Sequence, residues 1–102
     1  VPEQYLTKNY EYKGRSGKTW KIDFAITSPT PILIEAVKPF HNSIAATYVA
    51  FADVSSEDNR RFSVFSRRPS TEDAALLRQV AELVPFSALE QGIKPTVQKL
   101  LL

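Results

Sequence analysis

The stretch Thr19-Trp20-Lys21-Ile22-Asp23-Phe24-Ala25-Ile26, continued by Thr27-Ser28-Pro29-Thr30-Pro31 and Ile32-Leu33-Ile34-Glu35-Ala36-Val37, decides the fold. From Thr19 to Ile26 apolar and polar residues alternate. Trp20, Ile22, Phe24 and Ile26 fall on one face, and Lys21, Asp23 and Ala25 on the other, as in a strand covered on one side. Two prolines make residues 27–31 a rigid corner. Residues 32–37 are apolar on both faces apart from Glu35, which reads as a central strand covered on both sides.

Working backwards, Tyr10 to Lys13 is a short strand and Gly14-Arg15-Ser16-Gly17 a hairpin turn, its two glycines able to take positive φ. Residues 1–9 read as a lead-in. Working forwards, Lys38-Pro39 ends the third strand. A helix follows from Ser43 to Ala52, capped by Asn42 or Ser43, with Ile44, Tyr48 and Phe51 on its apolar side. Residues 53–60 form an acidic loop, and Arg61 to Ser66 a fourth strand. Ser70 caps a helix from Thr71 to about Val84 that buries Leu76, Leu77, Val80, Leu83 and Val84. A turn over Ser87–Glu90 and a helical stub over Pro95–Leu102 complete the chain. The expected class is α/β (α+β): an antiparallel three-stranded start, a helix crossing over to a fourth strand, and helices packed on the sheet.

The 102 residues fit a single domain over 1–102. Because the chain begins with Val1 and has no Met, it reads as a fragment of a longer protein. The absence of Cys excludes disulfides, thiolate nucleophiles and Cys-ligated zinc, and the single His excludes His-pair chemistry. No apolar run is long enough to span a membrane and no signal peptide is evident, so the expectation is a cytoplasmic protein with no membrane partner.

The net charge of +2 implies no partner by itself. Its distribution is more informative. Lys8, Lys13, Arg15, Lys18 and Lys21 cluster near the hairpin, and Arg60, Arg61, Arg67 and Arg68 around the fourth strand. With Tyr10, Tyr12, Trp20, Phe62 and Phe65 interleaved, these clusters can track a phosphate backbone, or they can be ordinary solvated faces. His41 reads as a surface residue at a helix start. The Gly-Arg-Ser-Gly turn lacks the Lys-Ser/Thr and helix of a P-loop. Ser16, Ser43 and Ser63 have no recognisable triad partners.

Two acids carry the chemical interest. Asp23 stands on the second strand, and Glu35, twelve positions on, is the lone acid of an apolar third strand. A carboxylate there is costly unless compensated. Mg²⁺ or Mn²⁺ would compensate both, since these ions take oxygen ligands and keep waters. The bland alternative pairs Asp23 with Lys21, Lys18 or Arg15, and Glu35 with an arginine of the 60–68 cluster.

A hairpin bearing Asp23, a next strand bearing Glu35, a helix and then a parallel strand resembles the PD-(D/E)xK nuclease superfamily over residues 10–68. The resemblance implies that Asp23 and Glu35 bind the metal and that a lysine serves the attacking water. That lysine position falls on Val37, with Lys38 one residue late and Lys21 a substitute two residues before Asp23. The resemblance also implies DNA or RNA as partner, gripped by Lys13, Arg15, Lys18, Arg60, Arg61, Arg67 and Arg68. Tyr12-Lys13-Gly14-Arg15-Ser16-Gly17, the Lys21-to-Phe24 strand and Pro31-to-Glu35 are similar to a family of uncharacterised C-terminal domains of bacterial and phage proteins. The competing expectation is a non-enzymatic domain of a phage or defence protein, serving a protein partner or a homodimer.

Overall fold

The computed structural model describes residues 6–27, 30–89 and 94. Five strands form one sheet in sequence order. They are β1 (Leu6–Lys13), β2 (Thr19–Ile26), β3 (Ile32–Val37), β4 (Arg60–Phe65) and β5 (Glu82–Pro85). Helix α1 (His41–Val54) links β3 to β4, and α2 (Thr71–Arg78) links β4 to β5. The first three strands are antiparallel neighbours; β4 and β5 each run parallel to the strand before. The expected mixed architecture is therefore the observed one, extended by one strand.

Parallel neighbours need a crossover, and both crossovers here are helices. Val37 of β3, Ile44 of α1 and Leu77 of α2 are buried in one cluster, so both helices cover the same face. Phe51 and Val54 of α1 bury further along that face against Ile22, Ala25, Leu33 and Val80. Phe24, Ile34 and Val64 form the core of the other face, with Phe86 of a 3-10 turn (Phe86–Ala88) and Leu89 packed on it. Burying each large aliphatic or aromatic side chain contributes about 1.5–3 kcal/mol.

Four local differences from the sequence reading have physical causes. β1 starts at Leu6 rather than Tyr10, because pairing with β2 recruits residues with little periodicity of their own, such as Leu6 opposite Ile26. α1 starts at His41 with no side-chain cap; Ser43 instead uses its hydroxyl to accept the Lys38 N–H at 3.1 Å. α2 keeps its Ser70 cap, which accepts from Asp73 N at 3.2 Å, but stops at Arg78. Its last turn tightens through Gln79 N to Leu76 O and Val80 N to Leu77 O. Glu82–Pro85 then pairs along β4, and Pro85, which cannot donate, ends this edge strand. The stub expected over Pro95–Leu102 lies outside the described residues, as do Ser28 and Pro29 of the corner.

The fourth difference shapes the site. Trp20 and Ile22 pack with α1, whereas Phe24 and Ile26 pack on the opposite face, so the expected single apolar face of β2 is divided. β1 divides likewise: Tyr10 and Tyr12 lie with α1, and Leu6 on the other side. The inversion falls at Asn9, whose φ of 50° lies in the left-handed region, and at Asp23 opposite it, between the pairs Lys8–Phe24 and Tyr10–Ile22. Beyond this point β2 parts from β3, whose register with it runs through Phe24–Ile34, Ala25–Leu33 and Ile26–Ile32.

Candidate functional site

Asp23 and Glu35 meet where β2 and β3 separate. Extending the antiparallel register by one pair sets them opposite each other. The ladder there is completed by side chains. Asp23 Oδ2 accepts the Ala36 N–H at 2.9 Å. The Glu35 carboxyl is hydrogen-bonded to the Asp23 side chain and accepts from the Asp23 backbone N–H. Glu35 is only 9% exposed, whereas Asp23 is half-buried. Burial, reinforced by the hydrogen bond and the negative charge of Asp23, raises the Glu35 pKa from 4.5 to about 9, with the Asp23 N–H pulling the other way. At neutral pH the Glu35 carboxyl therefore keeps its proton beside the Asp23 side chain.

Ser63 continues this row onto β4, its Cα paired with that of Glu35. It is fully buried, and its hydroxyl has no hydrogen-bond partner among the described residues. No group of three or more His, Asp or Glu side chains converges among the described residues. The donor set for a cation is thus two carboxyl groups, with Asp23 Oδ1 taking no part in the Ala36 bond. That set suits Mg²⁺ or Mn²⁺, which are held by one or two carboxylates and otherwise by water. The half-exposed Asp23 leaves a side open to those waters.

The two lysines expected near the acids do not pair with them. Lys21 is exposed on the outer half of the hairpin, and Lys38 is half-buried at the end of β3. Val37, at the position of the superfamily's lysine, is completely buried between Ile44 and Leu77.

Several basic residues named in the sequence are engaged within the fold. Arg15 donates from Nη2 to Ala52 O at 2.7 Å, at the end of α1. Lys18 Nζ lies 4.0 Å from the centre of the Trp20 ring. Arg60 lies over Phe62 and reaches Glu82 Oε1 at 3.3 Å. Arg61 donates to four oxygens: Val80 O, Ser56 O, Asn59 O and Asn59 Oδ1. Lys13, Arg67 and Arg68 are exposed, and their side chains make no hydrogen bond or ion pair among the described residues. Arg67 and Arg68 follow β4 at the carboxyl end of the parallel strands, the end where open α/β sheets bind ligands. Lys38 and the exposed His41 lie at that same end.

Asp53 has a role that the acidic-loop reading missed. Its carboxylate accepts from Ser16 N at 2.9 Å, Ser16 Oγ at 2.6 Å and Trp20 Nε1 at 2.7 Å. These hydrogen bonds hold its pKa below the usual carboxylate value. The hairpin turn is thereby fastened to the end of α1. A Cβ on Gly14 would fall on the Asp53 carboxylate, which is why a glycine stands there. The indole N–H of Trp20, which needs an acceptor when half-buried, was the sequence signal for this contact.

Comparison with known protein families, curated proteins and solved structures returns no match. No helix among the described residues is long and apolar enough to cross a membrane.

Proposed function

We propose that this chain is a nuclease-like nucleic-acid-binding domain in which Asp23 and Glu35 hold one Mg²⁺ or Mn²⁺ at the parting of β2 and β3. One observation carries the reading. Two acids from different strands are brought into hydrogen-bond contact in a largely apolar sheet, with no basic residue among the described residues to neutralise them. A divalent cation between them would remove that cost. When bound, the ion would supply water activation and polarisation of a phosphoryl oxygen. Asp23, fixed by the Ala36 amide, orients the pair. Of the seven basic residues expected to grip the nucleic acid, Lys13, Arg67 and Arg68 have side chains with no partner among the described residues, and Arg67 and Arg68 stand at the carboxyl end of the strands. Lys38 is the nearest lysine in sequence to serve the attacking water, and Lys21 the substitute.

The buried Val37 favours a second reading, in which the acid pair only closes the fork of the sheet and the domain serves a protein partner or a second copy of itself. Incubation of the protein with single- and double-stranded DNA and with RNA, with Mn²⁺ and with chelator, separates the two. The first reading expects metal-dependent binding or cleavage that Asp23→Asn removes while thermal unfolding stays cooperative. Metal-independent behaviour towards every substrate, identical in Asp23→Asn, would move the assignment to the second reading.

A further inference from the structure

A cavity of about 250 Å³ opens between the start of β4, the last turn of α2 and the start of β5, at the end of the parallel strands away from Arg67 and Arg68. Arg60, Arg61 and Arg78 line it, with Glu82 as the acid on its wall. Glu82 is engaged by Arg60, which leaves Arg61 and Arg78 without a carboxylate in ion-pair reach among the described residues.

Arg61 is held unusually firmly for a half-buried guanidinium. Nε donates to Val80 O at 2.7 Å, and Nη1 to Asn59 Oδ1 at 2.6 Å and to the carbonyls of Ser56 and Asn59 at 3.1 Å each. These bonds fix the plane of the group and also use the Val80 and Asn59 carbonyls as its acceptors. Nη2 keeps both N–H groups without an acceptor among the described residues. A clip joining β4 to the Ser56–Asn59 loop uses Nη1, and one joining it to Val80 uses Nε. Neither clip needs a cavity or a second, exposed arginine lining it.

We infer that this cavity is a binding site for a phosphate group, received by Arg61 Nη2 and Arg78. Guanidinium pairs match the oxygen geometry of phosphate, and an arginine already immobilised by the fold loses little further freedom on binding. The volume lies just below that of ordinary small-molecule pockets, which suits one phosphate with a sugar-sized remainder. The inference stands whether or not Asp23 and Glu35 take a cation.

The test is calorimetric titration of the whole chain, in chelator, with inorganic phosphate, then adenosine 5′-monophosphate, then one oligonucleotide with and without a 5′-phosphate. The expected result is binding of phosphate or of a phosphomonoester, weakened about tenfold or more by Arg78→Ala, an exposed change that leaves thermal unfolding in place. Tighter binding of the mononucleotide would identify a free nucleotide as the source of the phosphate. Tighter binding of the 5′-phosphorylated oligonucleotide would identify a nucleic-acid end. No binding at about 10 mM phosphate or nucleotide, or equal binding by Arg78→Ala, would overturn the assignment.

Discussion

Replacing Glu35 by glutamine makes the buried acid pair visible in the stability of the protein. Glu35 titrates near 4.5 when unfolded and near 9 when folded. A folded value above the unfolded one means that the fold favours the neutral form. Its stabilisation is complete below about pH 4.5 and is lost as pH rises towards 9. Within that window the loss approaches about 1.4 kcal/mol per pH unit, a ceiling of about 4 kcal/mol between pH 5.5 and 8.5. The amide of Glu35→Gln would keep the shape and the hydrogen bond to Asp23 without a titrating proton. The variant should match the natural protein near pH 5 and exceed it by about 1–4 kcal/mol at pH 8.5, a sizeable part of the roughly 5–15 kcal/mol typical of a domain. Urea unfolding of both proteins in chelator at pH 5.5, 7 and 8.5 measures this, and the difference between them cancels the other titrating groups. A difference that stays constant across the three pH values would show instead that Glu35 is ionised in the fold.

Ser63→Ala should raise stability by about 1 kcal/mol, since it removes a buried hydroxyl without a partner; a lower urea midpoint would reveal an unseen hydrogen-bond partner. Phe51→Ala should cost about 3–5 kcal/mol, because the ring is fully buried between α1 and the sheet, and thermal unfolding reads it. Gly14→Ala should push the hairpin turn off Asp53 and expose the chain's single tryptophan, seen as a red shift of its fluorescence; an unshifted spectrum would show that the turn can yield.

The elements that the sequence disclosed are those whose neighbours are close along the chain or whose period is unambiguous. The turn at 14–17 fixes β1 against β2, and the apolar run 32–37 has no reading other than a central strand. Leu83 and Val84 misled because four residues satisfy a helical stripe and a short strand equally well, and the edge of β4 decided between them. The inversion at Asn9 and Asp23 was not legible. Nothing in the alternation from Trp20 to Ile26 announces that half of it will face α1, since the cause is the docking of the hairpin on that helix.

The site divides in the same way. Asp23 and Glu35 stood out as lone acids in strands, and their chemistry could be stated from residue type and spacing. That each would choose the other, rather than a nearby Lys or Arg, depends on the register set across the corner at residues 27–31. The basic clusters were legible as charge but not as contacts. Arg15 and Arg61 spend their guanidinium groups on backbone carbonyls distant in sequence, at Ala52 and Val80, which composition does not reveal.

The most direct test of the account is calorimetric titration of Mn²⁺ into the natural protein and into Glu35→Gln at pH 7, in two buffers of different ionisation enthalpy. An ion held by Asp23 and Glu35 would give one site in the natural protein, release of about one proton per ion as the metal displaces the Glu35 proton, and loss of the site in the variant. Absence of heat at millimolar Mn²⁺, or equal binding by Glu35→Gln, would contradict it and leave the acid pair as a structural closure of the sheet.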